Sequence, residues 1–163
     1  MLSIGAFFLN AASVTGWKKK KKTLKKKKGI DIDMDALEIA SDNSKEIEAD
    51  IDFIHIDILQ FEKNLKKLKR EKKQFDTVIM NPPFGTKQKG LDMEFLKIAT
   101  EISDVVYSLH KTSTRNHILK KSESWGFKPK VVAELKYNIE NSYKFHKKKS
   151  QDIQVDLIRL QKK

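Results

Sequence analysis

From Gly29 onward, short β-branched runs alternate with stretches of helical spacing. Ile30–Asp33 reads as the end of a strand, and Asp33 or Asp35 is placed to cap the helix behind it. In that helix Ala36, Leu37, Ile39, Ala40 and Ile47 form a rough apolar face. Ile51–Leu59 (IDFIHIDIL) is dense in β-branched residues and predicts a strand. Residues 62–73 are charged, as in a solvated helix or loop. Phe75–Met80 (FDTVIM) is the clearest buried strand, and it must stop at Asn81-Pro82-Pro83 because proline cannot continue a central ladder. Asp92 is placed to cap a helix carrying Met93, Phe95, Leu96, Ala99 and Ile102; Val105–Leu109 is the next strand. Ser113 is placed to cap a further helix, closed at Trp125-Gly126 by a left-handed glycine. Val131–Leu135 and Ile153–Leu160 complete the strands. This alternation predicts a single α/β domain over residues 1–163, on a mainly parallel sheet. Ligands of such sheets bind beyond the carboxyl ends of the strands.

Charge changes this picture in one place. Lys18–Lys28 (KKKKKTLKKKK) holds nine lysines, and without them the net charge would fall from +12 to +3. The fold itself is therefore mildly basic, with a smaller cluster at Lys147, Lys148 and Lys149. Cysteine is absent, which excludes disulfides and thiolate metal sites and fits a reducing compartment. His55, His110, His117 and His146 lack metal-ligand spacing, so no metal site is expected. No run of apolar residues is long enough for a membrane span. Met1–Gly16 contains an apolar run, but no positive charge precedes it, which argues against a signal peptide.

Three predicted strand ends carry candidate chemistry. The first is Asn81-Pro82-Pro83-Phe84. An exocyclic amine is a poor nucleophile because its lone pair is delocalised into the ring. A site helps by accepting both amine hydrogens while the nitrogen becomes tetrahedral. The Asn81 side-chain oxygen and the Pro82 carbonyl can do this, and the two prolines stiffen the turn. Phe84 offers a face on which an extruded base can stack. The second is Asp31, whose carboxylate can take both ribose hydroxyls of a nucleoside cofactor. The third is Asp57, able to accept from an adenine amine, although a strand-closing aspartate is commonly a turn former. Beyond them Tyr143, Lys144, Phe145, His146, Lys147, Lys148 and Lys149 interleave aromatics with cations, which suits base stacking with phosphate contact.

Asp76–Gly85 (DTVIMNPPFG), Val106–Thr114 (VYSLHKTST) and Tyr143–Asp156 (YKFHKKKSQDIQVD) together resemble the methyltransferase-like protein 5 family, which places N6-methyladenosine on small-subunit ribosomal RNA. The resemblance implies a Rossmann-like class I methyltransferase using S-adenosylmethionine, with Asp31, Ile32, Asp57, Ile58 and Asn81 at the cofactor. It implies structured ribosomal RNA as substrate and a location in nucleus and cytoplasm. It also implies a small zinc-binding activator protein, expected along an edge strand at Ile51–Ile58. Leu2–Gly16 resembles the helix after that family's glycine loop, so the first strand and that loop are expected before Leu2, leaving the slot between the strands ending at Asp31 and Met80 unfilled. Trp17–Lys28 interrupts what reads as one strand from Ser13–Gly16 into Ile30-Asp31, and is expected to be a disordered insertion of translated intron. A basic nuclear or RNA-binding loop is the alternative for that stretch. For the whole chain the alternatives are a guanine-N2 or protein-glutamine methyltransferase, or a non-catalytic RNA- or partner-binding remnant. The aromatic-lysine segment speaks against the glutamine case.

Overall fold

The computed structural model describes residues 7–10, 27–67, 75–84, 90–139 and 151–163. Its strands are β1 (Phe7–Asn10), β2 (Lys27–Asp31), β3 (Ile51–His55), β4 (Phe75–Met80), β5 (Ser103–Lys111), β6 (Phe127–Ile139) and β7 (Gln151–Lys162). Its helices are α1 (Met34–Glu46), α2 (Ile58–Lys67), α3 (Leu91–Ile102) and α4 (Arg115–Ser124). The strands form one sheet in the order β3-β2-β1-β4-β5-β7-β6. β2 pairs in parallel with β3, and β4 with β5. β1 is antiparallel to both β2 and β4, and β7 is antiparallel to both β5 and β6. All strands but β1 and β7 therefore share one direction, which is the mainly parallel α/β sheet that the pattern predicts.

The central slot is where sequence and structure part. It is filled, by Phe7–Asn10, with Phe7 in register with Ile30 on one side and Met80 on the other. The physical reason is the ladder: β2 and β4 each present a row of backbone groups that need partners. The helix expected over Leu2–Gly16 thus gives way to a strand at residues 7–10. The insertion expected over 17–28 is also shorter, because Lys27 and Lys28 belong to β2. Lys28 escapes the cost of burial by keeping its ammonium partly in solvent, 3.1 Å from Asp52 on β3. The rest of that stretch lies outside the described residues.

Other elements follow local chemistry. Asp33 caps α1, accepting from the backbone N–H groups of Asp35 and Ala36. The apolar face expected on α1 is only partly buried: Leu37 is inside, whereas Ile39 and Ile47 are exposed. β3 ends at His55 rather than Leu59, because Asp57 starts α2 by accepting the Leu59 N–H at 2.9 Å. α3 begins after Gly90 without a side-chain cap, so Asp92 sits inside its first turn. Ser113 falls in a short 3-10 turn and does not cap α4. Gly126, at φ +82°, ends α4 as expected. Gly29 leaves room for the Phe53 ring on the neighbouring strand, which a Cβ there would approach to 2.6 Å.

The core gathers Val78 and Met80 of β4, Val106 of β5, and Ile158 and Leu160 of β7. Leu96, Ala99 and Ile102 of α3 and Ile118 of α4 complete it. Asp31 and Asp156 are the buried carboxylates among the described residues. Asp156 on β7 is fully enclosed, and Arg115 grips it with two bonds of 2.6 and 2.7 Å while the Thr112 hydroxyl donates at 2.9 Å. Arg115 also reaches Glu134 on β6 at 3.1 Å. These contacts tie the β6–β7 pair to the segment leaving β5. The Arg115 hydrogen bonds, aided by Thr112 and opposed by burial, hold the Asp156 carboxyl below its ordinary range. The unfolded chain therefore binds that proton more readily, and the stabilisation is full above the usual carboxylate value of about 3.9 and fades as pH falls through the lower folded value. Asp156→Asn should lower the melting temperature by several degrees at neutral pH. In melts at stepped pH, the gap from wild type should narrow below about pH 4; a pH-independent gap would contradict this account.

Candidate active site

Prolines 82 and 83 end β4 because neither can donate to a ladder, and the chain leaves the sheet at Asn81. Pro82 is fully buried, which fixes the turn. The Asn81 side-chain oxygen Oδ1 is buried and, among the described residues, has no hydrogen-bond partner. A buried acceptor left this way costs about 1–3 kcal/mol, so it calls for a reason. Phe84, half-buried, closes the turn, and the Lys111 ammonium lies 5.9 Å from its ring centroid.

Asp31 closes β2 and is 4% exposed. Its Oδ1 accepts the Asp33 N–H at 2.9 Å, and its carbonyl accepts the Ile56 N–H at 3.0 Å. The ring Nε2–H of His55 is placed to donate to the Ile32 carbonyl at 2.9 Å. The ends of β2 and β3 are thus clasped together by Ile56 and His55. Asp57 lies just beyond that clasp, one oxygen engaged in capping α2. Ile32 is 57% exposed beside Asp31, whereas the Ile58 side chain belongs to the core, so any part Ile58 plays at a cofactor falls to its backbone.

β2 and β4 flank β1, so Asp31 and Asn81 stand two strand spacings apart, about 10 Å. On either side of β1 the chain order runs outward in opposite directions, the switch point where such sheets open a crevice at their carboxyl ends. Asp31, Ile32, Asp57 and Asn81 all lie on that rim. The segment Tyr143, Lys144, Phe145, His146, Lys147, Lys148 and Lys149 lies outside the described residues.

The structure places further residues near the site. Ser108 and His110 on β5 share a 2.8 Å hydrogen bond in the interior, and His110 Nδ1 lies 3.6 Å from Asp92 Oδ2, too far to satisfy the ring nitrogen. His110 is 1% exposed, in line with a structural role. Asp92, two residues into α3, thereby ties the helix that follows the Asn81 turn to β5. Lys111 ends β5 beside that turn. The strand-end rule that singled out Asp31 and Asn81 would have found Lys111 too, had the strand been drawn to Lys111 rather than Leu109.

S-adenosylmethionine fits this donor set of two carboxylates, Asp31 and Asp57, and one buried amide oxygen, Asn81 Oδ1, on a single rim. The methyltransferase small domain family matches residues 12–104. The rRNA N6-adenosine-methyltransferase METTL5 of Danio rerio is 48% identical over 162 residues, covering 98% of this chain and 69% of that protein. The rRNA N6-adenosine-methyltransferase of Drosophila melanogaster is 48% identical over 136 residues, covering 82% of this chain and 62% of its own length. A crystal structure from Pyrococcus horikoshii, described as that of a candidate RNA methyltransferase, is similar at a TM-score of 0.60 and 35% identity. That likeness covers 82% of this chain and 61% of that one. The chain thus spans under two thirds of the fly and archaeal proteins' lengths. With the strand order, the rim chemistry and these likenesses in agreement, the chain belongs to the METTL5 family of S-adenosylmethionine-dependent class I methyltransferases.

Proposed function

We propose that this protein transfers a methyl group from S-adenosylmethionine to the N6 amine of an adenosine in structured small-subunit ribosomal RNA. The observation that carries the reading is the Asn81 oxygen, buried and without a partner after β4. An acceptor kept desolvated and unsatisfied is pre-organised for a donor that arrives with substrate. The activities named for the fish and fly relatives support adenosine in ribosomal RNA as that donor.

The cofactor supplies an electrophilic methyl group on a positively charged sulfur. Asp31 would hold the ribose hydroxyls, and Asp57, the backbone at Ile58 and the Ile32 side chain would hold the adenine. Asn81 Oδ1 and the Pro82 carbonyl would accept the two N6 hydrogens, drawing the nitrogen out of conjugation and freeing its lone pair as a nucleophile. Pro83 keeps the turn rigid, and Phe84 stacks on the extruded base. The Tyr143–Lys149 segment contributes RNA contacts from the β6–β7 connection.

Asn81→Ala should lower methyl transfer to RNA at least 100-fold, on the scale of removing one group that stabilises a transition state. The same change deletes a buried unsatisfied atom, so the melting temperature should hold or rise. The shift induced by S-adenosylmethionine should persist. Activity within threefold of wild type would sink the mechanism. Phe84→Ala should weaken RNA binding and turnover together, by roughly 1–3 kcal/mol of lost stacking.

A zinc-binding activator protein is the partner we infer for β3. That strand is outermost in the sheet, with Ile51, Phe53 and Ile54 only half-buried. The available edge is Ile51–His55, shorter than the Ile51–Ile58 expected, since Ile58 is helical. Such an edge invites strand addition. Neighbouring residues of a strand point their N–H groups to opposite sides, so Phe53→Pro and Ile54→Pro separate inner from outer ladder. The variant that retains its melting temperature should lose activator affinity at least tenfold. Undiminished binding by both would rule out β3 as the docking strand.

A further inference from the structure

Lys111 is a cation held ready and left over. Its backbone is fixed: it pairs with Val155 across β7, and its carbonyl accepts the Thr114 hydroxyl at 2.8 Å. The next residue, Thr112, is fastened to Asp156. Only the side chain is at liberty, and it lies over the Phe84 ring, 5.9 Å from the centroid. A cation–π contact that long is at the outer limit of the interaction and is easily given up. Among the described residues, Lys111 forms no ion pair. Arg115, four residues on, is committed to Asp156 and Glu134, whereas Lys28, Lys45 and Lys97 each face a carboxylate. The strongest nearby anion, Asp156, is therefore already neutralised and does not compete for Lys111.

We propose that Lys111 binds a backbone phosphate of the nucleotide extruded onto Phe84, leaving the ring as the base takes its face. A base stacked on Phe84 covers the surface that Lys111 now occupies, and it brings a negative charge attached to the same nucleotide. One motion then trades a weak ring contact for a charge-assisted hydrogen bond to phosphate. The consequence is selectivity: a polynucleotide supplies the phosphate, and free adenosine does not. The proposal rests on the RNA reading of the site above, and it adds a substrate-binding residue outside the Asn81 turn.

The test is a salt titration of binding to a fluorescein-labelled hairpin RNA, followed by anisotropy, for wild type, Lys111→Gln and Lys111→Arg. Each phosphate neutralised contributes about 0.7–0.9 to the slope of log affinity against log salt. Lys111→Gln should reduce that slope by about one phosphate's worth and weaken binding several-fold at low salt, equally for unrelated RNA sequences. Lys111→Arg should restore both, and the melting-temperature shift with S-adenosylmethionine should be the same in all three. A Gln variant with the wild-type melting temperature and wild-type slope overturns the proposal while leaving RNA methylation standing. RNA bound with the expected slope change but never methylated overturns the functional reading and keeps the phosphate contact. Wild-type protein that binds no RNA overturns both.

Discussion

The whole rim depends on how β4 stops. A strand in the middle of a sheet has its backbone groups spoken for on both sides, and a proline there removes a donor and forces the chain out. Two prolines in succession, the first fully buried, make the exit abrupt and rigid. The Asn81 side chain turns its oxygen inward at the moment the ladder ends, and among the described residues that oxygen finds no donor. Folding pays for that orphan through the burial of Val78, Met80, Leu96 and Val106 around the same strand. Everything else on the rim is arranged about this point: Asp31 across β1, the Phe84 ring after the turn, and Lys111 on the adjacent strand end.

A second constraint keeps the far half of the sheet in place. β6 and β7 are a long antiparallel pair whose only neighbour in the sheet, among the described residues, is β5. Arg115 and Asp156 supply a directional lock at that junction, where apolar packing alone would fix position less sharply. Removing one partner from such a pair leaves a buried charge, so the lock is brittle as well as specific. Because Thr112 shares Asp156, the lock also sets where Lys111 stands beside the Asn81 turn.

Much of this was legible in the residues. Phe75–Met80 announced itself by composition and by the prolines after it, and Asp33 and Gly126 behaved as their cap positions demand. These features are local: each is decided by neighbours within a few residues. The errors divide: the first is a local choice between two roles for one residue, and the other two depend on partners distant in sequence. Asp57 carries no local mark telling whether IDFIHIDIL continues as strand, and the competing helix cap won. Asp92 looked like a cap, but Gly90 starts α3 and the carboxylate turns toward His110, eighteen positions away in sequence and adjacent only across the fold. Phe7–Asn10 as the central strand was invisible for the same reason. Its partners are Ile30 and Met80, and no periodicity in four residues names them.

The direction of that central strand bears on how a cofactor is held. In doubly wound sheets the first strand runs parallel to its neighbours, so its carboxyl end delivers a glycine-rich turn and a helix N-terminus to the rim. Here β1 is antiparallel to β2 and β4. Its Phe7 end is level with Ile30 and Met80 at the rim, and Asn10 lies toward the opposite edge of the sheet. The β1 carboxyl end therefore points away from the crevice. Among the described residues, the groups that remain for a nucleoside cofactor are the carboxylates of Asp31 and Asp57, the apolar side chain of Ile32 and the turn at Asn81. On the proposed reading, three of these would serve the ribose and adenine and one the reacting end, so this rim offers more to the nucleoside than to the methionine portion.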